Sequence, residues 1–187
     1  MKKIMILTAL VLSSAGAFAQ YRAGDVTIQP KIGLNCSNLT DYSDDGDTDW
    51  KAGLAVGVEG EYHINNWFGI SAGLMYSQQG TKETYQGKDV TLSMDYLNVP
   101  MLANFYVAKG LSLKAGIQPG FKVNTSDVSV DDHINTVDWS MPMGISYEYQ
   151  GFTIDARYTL GVTDAIKDTD VKNQVFQLTF GYKFKLK

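Results

Sequence analysis

The chain has 187 residues, 16 basic and 20 acidic side chains, a formal net charge of −4 and a single cysteine, Cys36. That length fits one domain, the acidic balance disfavours nucleic acid, which needs a basic footprint, and one cysteine excludes an internal disulfide or a multi-cysteine metal site. A mean hydropathy of −0.14 suits a soluble protein and a membrane β-barrel equally, because polar and apolar residues alternate in a barrel wall and cancel in any average.

Lys2 and Lys3 form a basic n-region, "IMILTALVL" is an apolar h-region, and Ala17-Phe18-Ala19 is a small-residue cleavage site. This pattern predicts a signal peptide over 1–19 and an exported chain of 20–187. Losing the two lysines leaves 14 basic against 20 acidic side chains, a net charge of about −6. No later stretch approaches the apolar run of a transmembrane helix.

From there the chain alternates with period 2, and about eight strands are predicted. In order they cover 26–37, 50–62, 68–78, 96–107, 111–124, 137–149, 152–162 and 174–186. Their connections alternate in length. A long one over 38–49 precedes the tight "HINNW", and a long "GTKETYQGKD" precedes the tight "AKG". A long "TSDVSVDDHIN" then precedes the tight Gln150-Gly151, and "TDAIKDTDVK" is the last long loop. Long loops at one end and short turns at the other are the up-and-down pattern of outer-membrane barrels.

The two faces of the strands differ. In the second strand Trp50, Ala52, Leu54, Val56, Val58 and Tyr62 share one side, and Gly53, Ala55, Gly57, Glu59 and Glu61 the other. In the last, Phe176, Leu178, Phe180, Tyr182, Phe184 and Leu186 oppose Gln177, Thr179, Gly181, Lys183 and Lys185. Roughly fifty positions make up the apolar face, and none is Asp, Glu, Lys or Arg. A soluble barrel would fill its other face with charge to meet water. Here that face is rich in Gly, Ser, Thr, Gln and Asn, which fit the crowded interior of a small barrel. Trp50, Tyr62, Phe68, Tyr76, Phe105, Phe121, Trp139, Tyr149, Phe152 and Phe184 lie near predicted strand ends, as interfacial girdles require. Cys36 reads as a small apolar side chain.

The expected architecture is therefore all-β: an eight-stranded antiparallel up-and-down transmembrane β-barrel with long extracellular loops and short periplasmic turns. Four prolines fall inside strand patterns, Pro30, Pro100, Pro119 and Pro142. A closed wall has no edge on which to hide a missing donor. A local bulge or an unpaired carbonyl on the neighbouring strand is expected, at Pro100 and Pro119 especially. Around Pro100, Leu97, Val99, Met101, Ala103, Phe105 and Val107 should face lipid. Tyr96, Asn98, Leu102, Asn104 and Tyr106 should face the lumen, where the asparagines could hydrogen-bond.

Several segments resemble the PorT-like outer-membrane β-barrel family. "KIGLNCSNL" is similar to its first strand, and "WKAGLAVGVEGEYHINNWFGISAGLMYSQQGTK" to its second and third. "DYLNVPMLANFYVAKGLSLKAGIQPGF" resembles the Tyr-Leu-x-Ile-Pro-Leu hairpin of that family, and "FTIDARYTLGVTDA" with "QVFQLTFGYKF" its closing pair. The resemblance implies an eight-stranded barrel of the OmpX-like class, and transport or secretion support as a role. Asn98 and Asn104 depart from it, standing where a charged or longer polar residue is expected.

Inward-facing charges are the first candidate site. Lys31, Glu59, Glu61, Lys114, Asp155, Arg157 and Lys183 fall toward the short turns, and Lys122 and Asp138 fall higher, at similar heights on adjacent strands. Near balance of sign points to a self-neutralising plug, because buried charges must be paired. Eight strands leave little room for an aqueous channel. The acidic stretch "TDYSDDGDTD" groups Asp41, Asp44, Asp45, Asp47 and Asp49. It lacks EF-hand spacing and reads as a solvated loop, with loose binding of calcium or of cations bridging lipopolysaccharide as the functional alternative. His63 in a short turn and His133, near Ser126 and Ser129, read as solvated surface. No G-x-S-x-G-type motif accompanies them, so no enzyme is expected. Asn38-Leu39-Thr40 matches the glycosylation pattern by chance.

The expectation is a monomeric outer-membrane protein with no cofactor and no metal. Its partners would be outer-membrane lipids and lipopolysaccharide, with an extracellular or secretion-system protein as a further partner. Activity would lie in the loops, as adhesion, surface binding or membrane integrity. The contrasting classes are a transport or secretion-accessory barrel and a rim-located lipid-modifying enzyme.

Overall fold

Period-2 alternation closes into one continuous antiparallel wall. The computed structural model describes residues 21–39, 49–85, 88–125, 137–163 and 173–186. The predicted signal peptide and Asp41, Asp44, Asp45, Asp47, Ser126, Ser129 and His133 lie outside them. Ten strand segments are formed: β1 (Val26–Leu39), β2 (Asp49–His63), β3 (Phe68–Tyr85), β4 (Lys88–Asn98), β5 (Met101–Ala108), β6 (Leu111–Thr125), β7 (Val137–Tyr149), β8 (Phe152–Gly161), β9 (Asn173–Tyr182) and β10 (Phe184–Lys185). β4 and β5 both pair with β3 and β6, the other neighbours pair in sequence order, and β1 closes the sheet against β9 and β10. Because β4 with β5 and β9 with β10 are each one strand interrupted, the wall is a closed eight-stranded antiparallel barrel.

The interruptions coincide with the prolines. Asn98 pairs with Met75 and Met101 with Ala72, so the register runs unchanged past Pro100. Gly73 N–H donates to the Pro100 carbonyl at 3.0 Å, and Val99 N–H donates to the Pro119 carbonyl at 2.9 Å. Neither proline can return the bond, so the carbonyls of Gly73 and Val99 lack that donor. Pro142 sits in the same kind of gap: β6 and β7 pair on both sides of it, but Gly116 and Ile117 do not join the ladder. Pro30 lies where β1 passes from β9 to β10. Of the two expected accommodations, the unpaired carbonyl is the one used at Pro100 and Pro119. A bulge would have shifted the register; such shifts occur elsewhere, between Trp50 and Ala55, Asp95 and Tyr96, and Tyr106 and Ala108.

Two turns show why the short connections are tight. Gln150 and Gly151 have φ of 52° and 87°, the left-handed pair that matches the twist of a two-residue hairpin. At the other short turn, Asn65 Oδ1 accepts from Trp67 N–H and Phe68 N–H at 2.9 and 2.8 Å, an Asx arrangement that replaces a backbone turn.

One predicted loop is corrected. "GTKETYQGKD" is mostly strand: β3 continues to Tyr85 and β4 begins at Lys88, paired from Met75↔Asn98 to Tyr85↔Lys88. The stretch is polar at both alternate sets of positions, so it carries no period-2 signal, and the pairing of β3 with β4 is what makes it strand. Asp49, also assigned to a loop, is the first residue of β2.

Exposure is inverted relative to a water-soluble protein. Leu34 is 64% exposed while its neighbour Asn35 is fully buried. Ile32, Ile145, Phe176, Leu178 and Phe180 are likewise exposed outward, while Lys31, Glu59 and Asp155 are buried inward. Such a surface is stable only against hydrocarbon. Between Tyr96 and Val107 the faces are as expected, with Tyr96, Asn98, Leu102, Asn104 and Tyr106 buried and Met101 and Phe105 exposed. The girdle on the short-turn side is a run of touching rings. Trp67, Phe68 and Phe105 form one cluster, and Phe152, Tyr182 and Phe184 another, with centroids 4.7–6.4 Å apart.

Candidate functional site

The seven charges predicted toward the short turns meet in the lumen. Period 2 aims them inward, and strand pairing sets their heights. Glu59 on β2 is the hub. It accepts from Lys31 Nζ of β1 at 3.0 Å, Lys114 Nζ of β6 at 2.8 Å and Arg157 Nη2 of β8 at 3.0 Å. Asp155 accepts from Lys31 at 2.7 Å and lies 3.5 Å from Lys114. Nearer the turns, Lys183 lies 2.9 Å from Glu61 and 3.4 Å from Glu148. Four cations thus face four carboxylates, and every one is at most 7% exposed. At these distances the charges neutralise one another, and the side chains fill the cross-section.

Below this network the segment before β1 folds into the mouth. The single Tyr21 O–H is shared between the two oxygens of Glu148, each at 2.7 Å, and the ring stacks on His63 at 3.9 Å. Tyr106 donates to Glu61 at 2.7 Å, and Lys183 lies over the Tyr21 and Tyr106 rings. Backbone bonds fix the segment, with Gly24 N–H donating to His63 O and His63 N–H to Asp25 O. Burial pushes the Tyr21 hydroxyl well above its ordinary range, so it stays a donor. Asp25 binds Lys185 at 2.6 Å, and that hydrogen bond holds its carboxyl below the usual range. Its contribution is therefore present at neutral pH and lost as pH falls through the lowered value.

Sequence reasoning missed Glu148, Tyr21 and Tyr106 as members of this network. Strand parity could have found Glu148, which shares a face with Asp138, Ser140 and Ser146; nothing in the sequence marks Tyr21. His63 is corrected. It is the last residue of β2 and fully buried, not solvated, and neither ring nitrogen has a hydrogen-bond partner among the described residues. Asn104 is interior as expected, but its side chain makes no hydrogen bond among the described residues.

A test of the mouth follows. Tyr21→Phe should lower stability by about 1–3 kcal/mol, since a hydrogen bond shared by both oxygens of a buried carboxylate is lost. Protease cleavage before β1 should speed up in the folded protein while the barrel core stays protected. Unchanged stability and cleavage would show that the segment is not fastened.

Lys122 and Asp138, predicted at similar heights, are not joined. Asp138 pairs across the sheet with Gly120, and Lys122 lies two residues further along β6. Asp138 instead accepts from the Thr163 hydroxyl at 2.8 Å. A polar cavity of about 10 Å³ lies beside it, lined by Gln79, Tyr96, Asn98, Gln118, Ser140 and Thr159 among others. No group of three or more His, Cys, Asp or Glu side chains placed to hold a metal occurs among the described residues.

Comparison with known proteins agrees with this geometry. The fold is that of Ail, the attachment invasion locus protein of Yersinia pestis, solved in phospholipid nanodiscs. That match has 21% identity, 86% of this chain, 99% of that chain and a TM-score of 0.52. It is also that of the Neisserial surface protein NspA (12%, 85% and 97%, TM-score 0.53) and of the outer membrane protein AlkL (14%, 90% and 93%, TM-score 0.51). No functionally curated protein matches in sequence. Residues 18–167 match the model of a family described as "Outer membrane protein beta-barrel domain". The chain belongs to that family and is an outer-membrane β-barrel protein.

Proposed function

We propose that this protein acts through its loop-bearing end, as a surface-binding or adhesive barrel, with its lumen serving as a structural plug. One observation carries the reading: four cations and four carboxylates, all buried and mutually paired, occupy the lumen where a solute would have to pass. Opening that path would separate several buried ion pairs, each costly to break. The acidic run Asp41, Asp44, Asp45, Asp47 and Asp49 suits a basic protein surface or cation-bridged lipopolysaccharide as the partner. It does not suit a polyanion such as the heparin analogue crystallised with Ail. A monomer with no catalytic chemistry fits this role.

The second reading is a transport or secretion-accessory barrel, favoured by the PorT-like segments around Tyr96-Leu97 and Pro100. Planar-bilayer recording separates the two. The purified protein should give no steady open-channel current, and a steady current would overturn the plug. A lipid-product assay with His133→Ala would reveal a rim enzyme if the wild type makes product and the variant does not.

A further inference from the structure

The lumen treats its buried carboxylates unequally. Glu59, Asp155, Glu61 and Glu148 each lie within 3.5 Å of a lysine or arginine nitrogen. Asp138 is as deeply buried, at 5% exposure, yet among the described residues its side chain meets only the hydroxyl of Thr163. The ion-pair network cannot reach it. Arg157 pairs across the sheet with Gly144, six residues down β7 from Asp138, a distance of about 20 Å along the strand. A carboxylate taken out of water without a counter-charge is costly, so it must be paired or lose its charge.

Beside Asp138 lies the cavity of about 10 Å³, the room of one water or one small ion. Its lining is rich in oxygen. Gln118 donates its amide N–H to Ser140 Oγ at 3.4 Å, leaving Oε1 as an acceptor. Asn98 is 5% exposed and lines the cavity. Its Oδ1 lies over Gly120, at 2.5 Å from where a Cβ would stand. Thr159 and Ser140 add hydroxyls. Carbonyl, hydroxyl and carboxylate oxygens are the donors of hard cations. One carboxylate among neutral oxygens matches a single positive charge.

We infer that this cavity binds one alkali-metal cation, with Asp138 as counter-charge and Asn98, Gln118, Ser140 and Thr159 supplying neutral oxygen ligands. The ion completes the charge balance of the lumen above the plug and ties β4, β6, β7 and β8 together on the loop side.

The experiment is thermal unfolding of the whole refolded protein in nanodiscs, in NaCl against N-methylglucamine chloride at equal ionic strength. For sodium at ten times its dissociation constant, Tm should be about 3–6 °C higher in NaCl. Asp138→Asn keeps the shape and should abolish the difference, while Asp25→Asn at the mouth should keep it. Broadening of the sodium-23 resonance by wild type, absent with Asp138→Asn, reads the same site without unfolding. Gln118→Glu adds a second carboxylate and should transfer the stabilisation from sodium to calcium. Equal Tm in the two salts, a difference that survives Asp138→Asn, or stabilisation of wild type by calcium alone would each overturn the inference.

Discussion

Glu59→Gln is expected to destabilise the barrel by about 3–5 kcal/mol, the cost of removing one partner from a buried ion pair. The reason is its central place: Lys31, Lys114 and Arg157 all converge on its two oxygens. Without that charge three buried cations share Asp155, which only the two lysines reach within 4 Å. Urea titration in lipid, followed by fluorescence of the outward-facing Trp50, Trp67 and Trp139, would measure the loss. Combining the change with Lys114→Met should recover part of it, because the second substitution removes a charge that the first leaves unpaired. A loss below about 1 kcal/mol would mean that water stands in for the missing charge, contradicting a dry plug.

Ile32→Arg should cost about 2–4 kcal/mol, the value for an arginine on the lipid face near mid-bilayer. Ile32 is 54% exposed and lies midway along β1, between Val56 of β2 and Phe180 of β9. Leu186→Arg makes the contrast. Leu186 is 64% exposed but lies past the Phe184 ring at the short-turn end, where the cost should fall to about 0–1 kcal/mol. Equal effects at the two positions would show that the wall is not graded by membrane depth. A soluble protein would show little loss at either.

Much of the fold was legible because strand alternation is local. Each residue's side of the wall follows from its neighbours two positions away. The inward placement of Lys31, Glu59 and Asp155 and the outward placement of Leu34 and Phe180 could therefore be read directly. Turn chemistry was local too, as at Gln150-Gly151. Where local signals conflicted, the reading failed. The polar residues of "GTKETYQGKD" resemble a loop because they lack alternation, although β3 and β4 pair through most of the stretch, and a histidine at a predicted turn resembles solvated surface.

The sequence by itself determined the class of protein, the two faces of its wall and most of the charges inside it, because period 2 is a property of neighbouring residues. Which charges touch was decided only by the closed barrel. Lys31 and Asp155 are 124 positions apart, and Tyr21 and Glu148 are 127. Their meeting depends on the register of every strand between them, and no single segment encodes it. The same holds for Asp138, whose lack of a cationic partner among the described residues becomes visible only once the lumen is assembled around it.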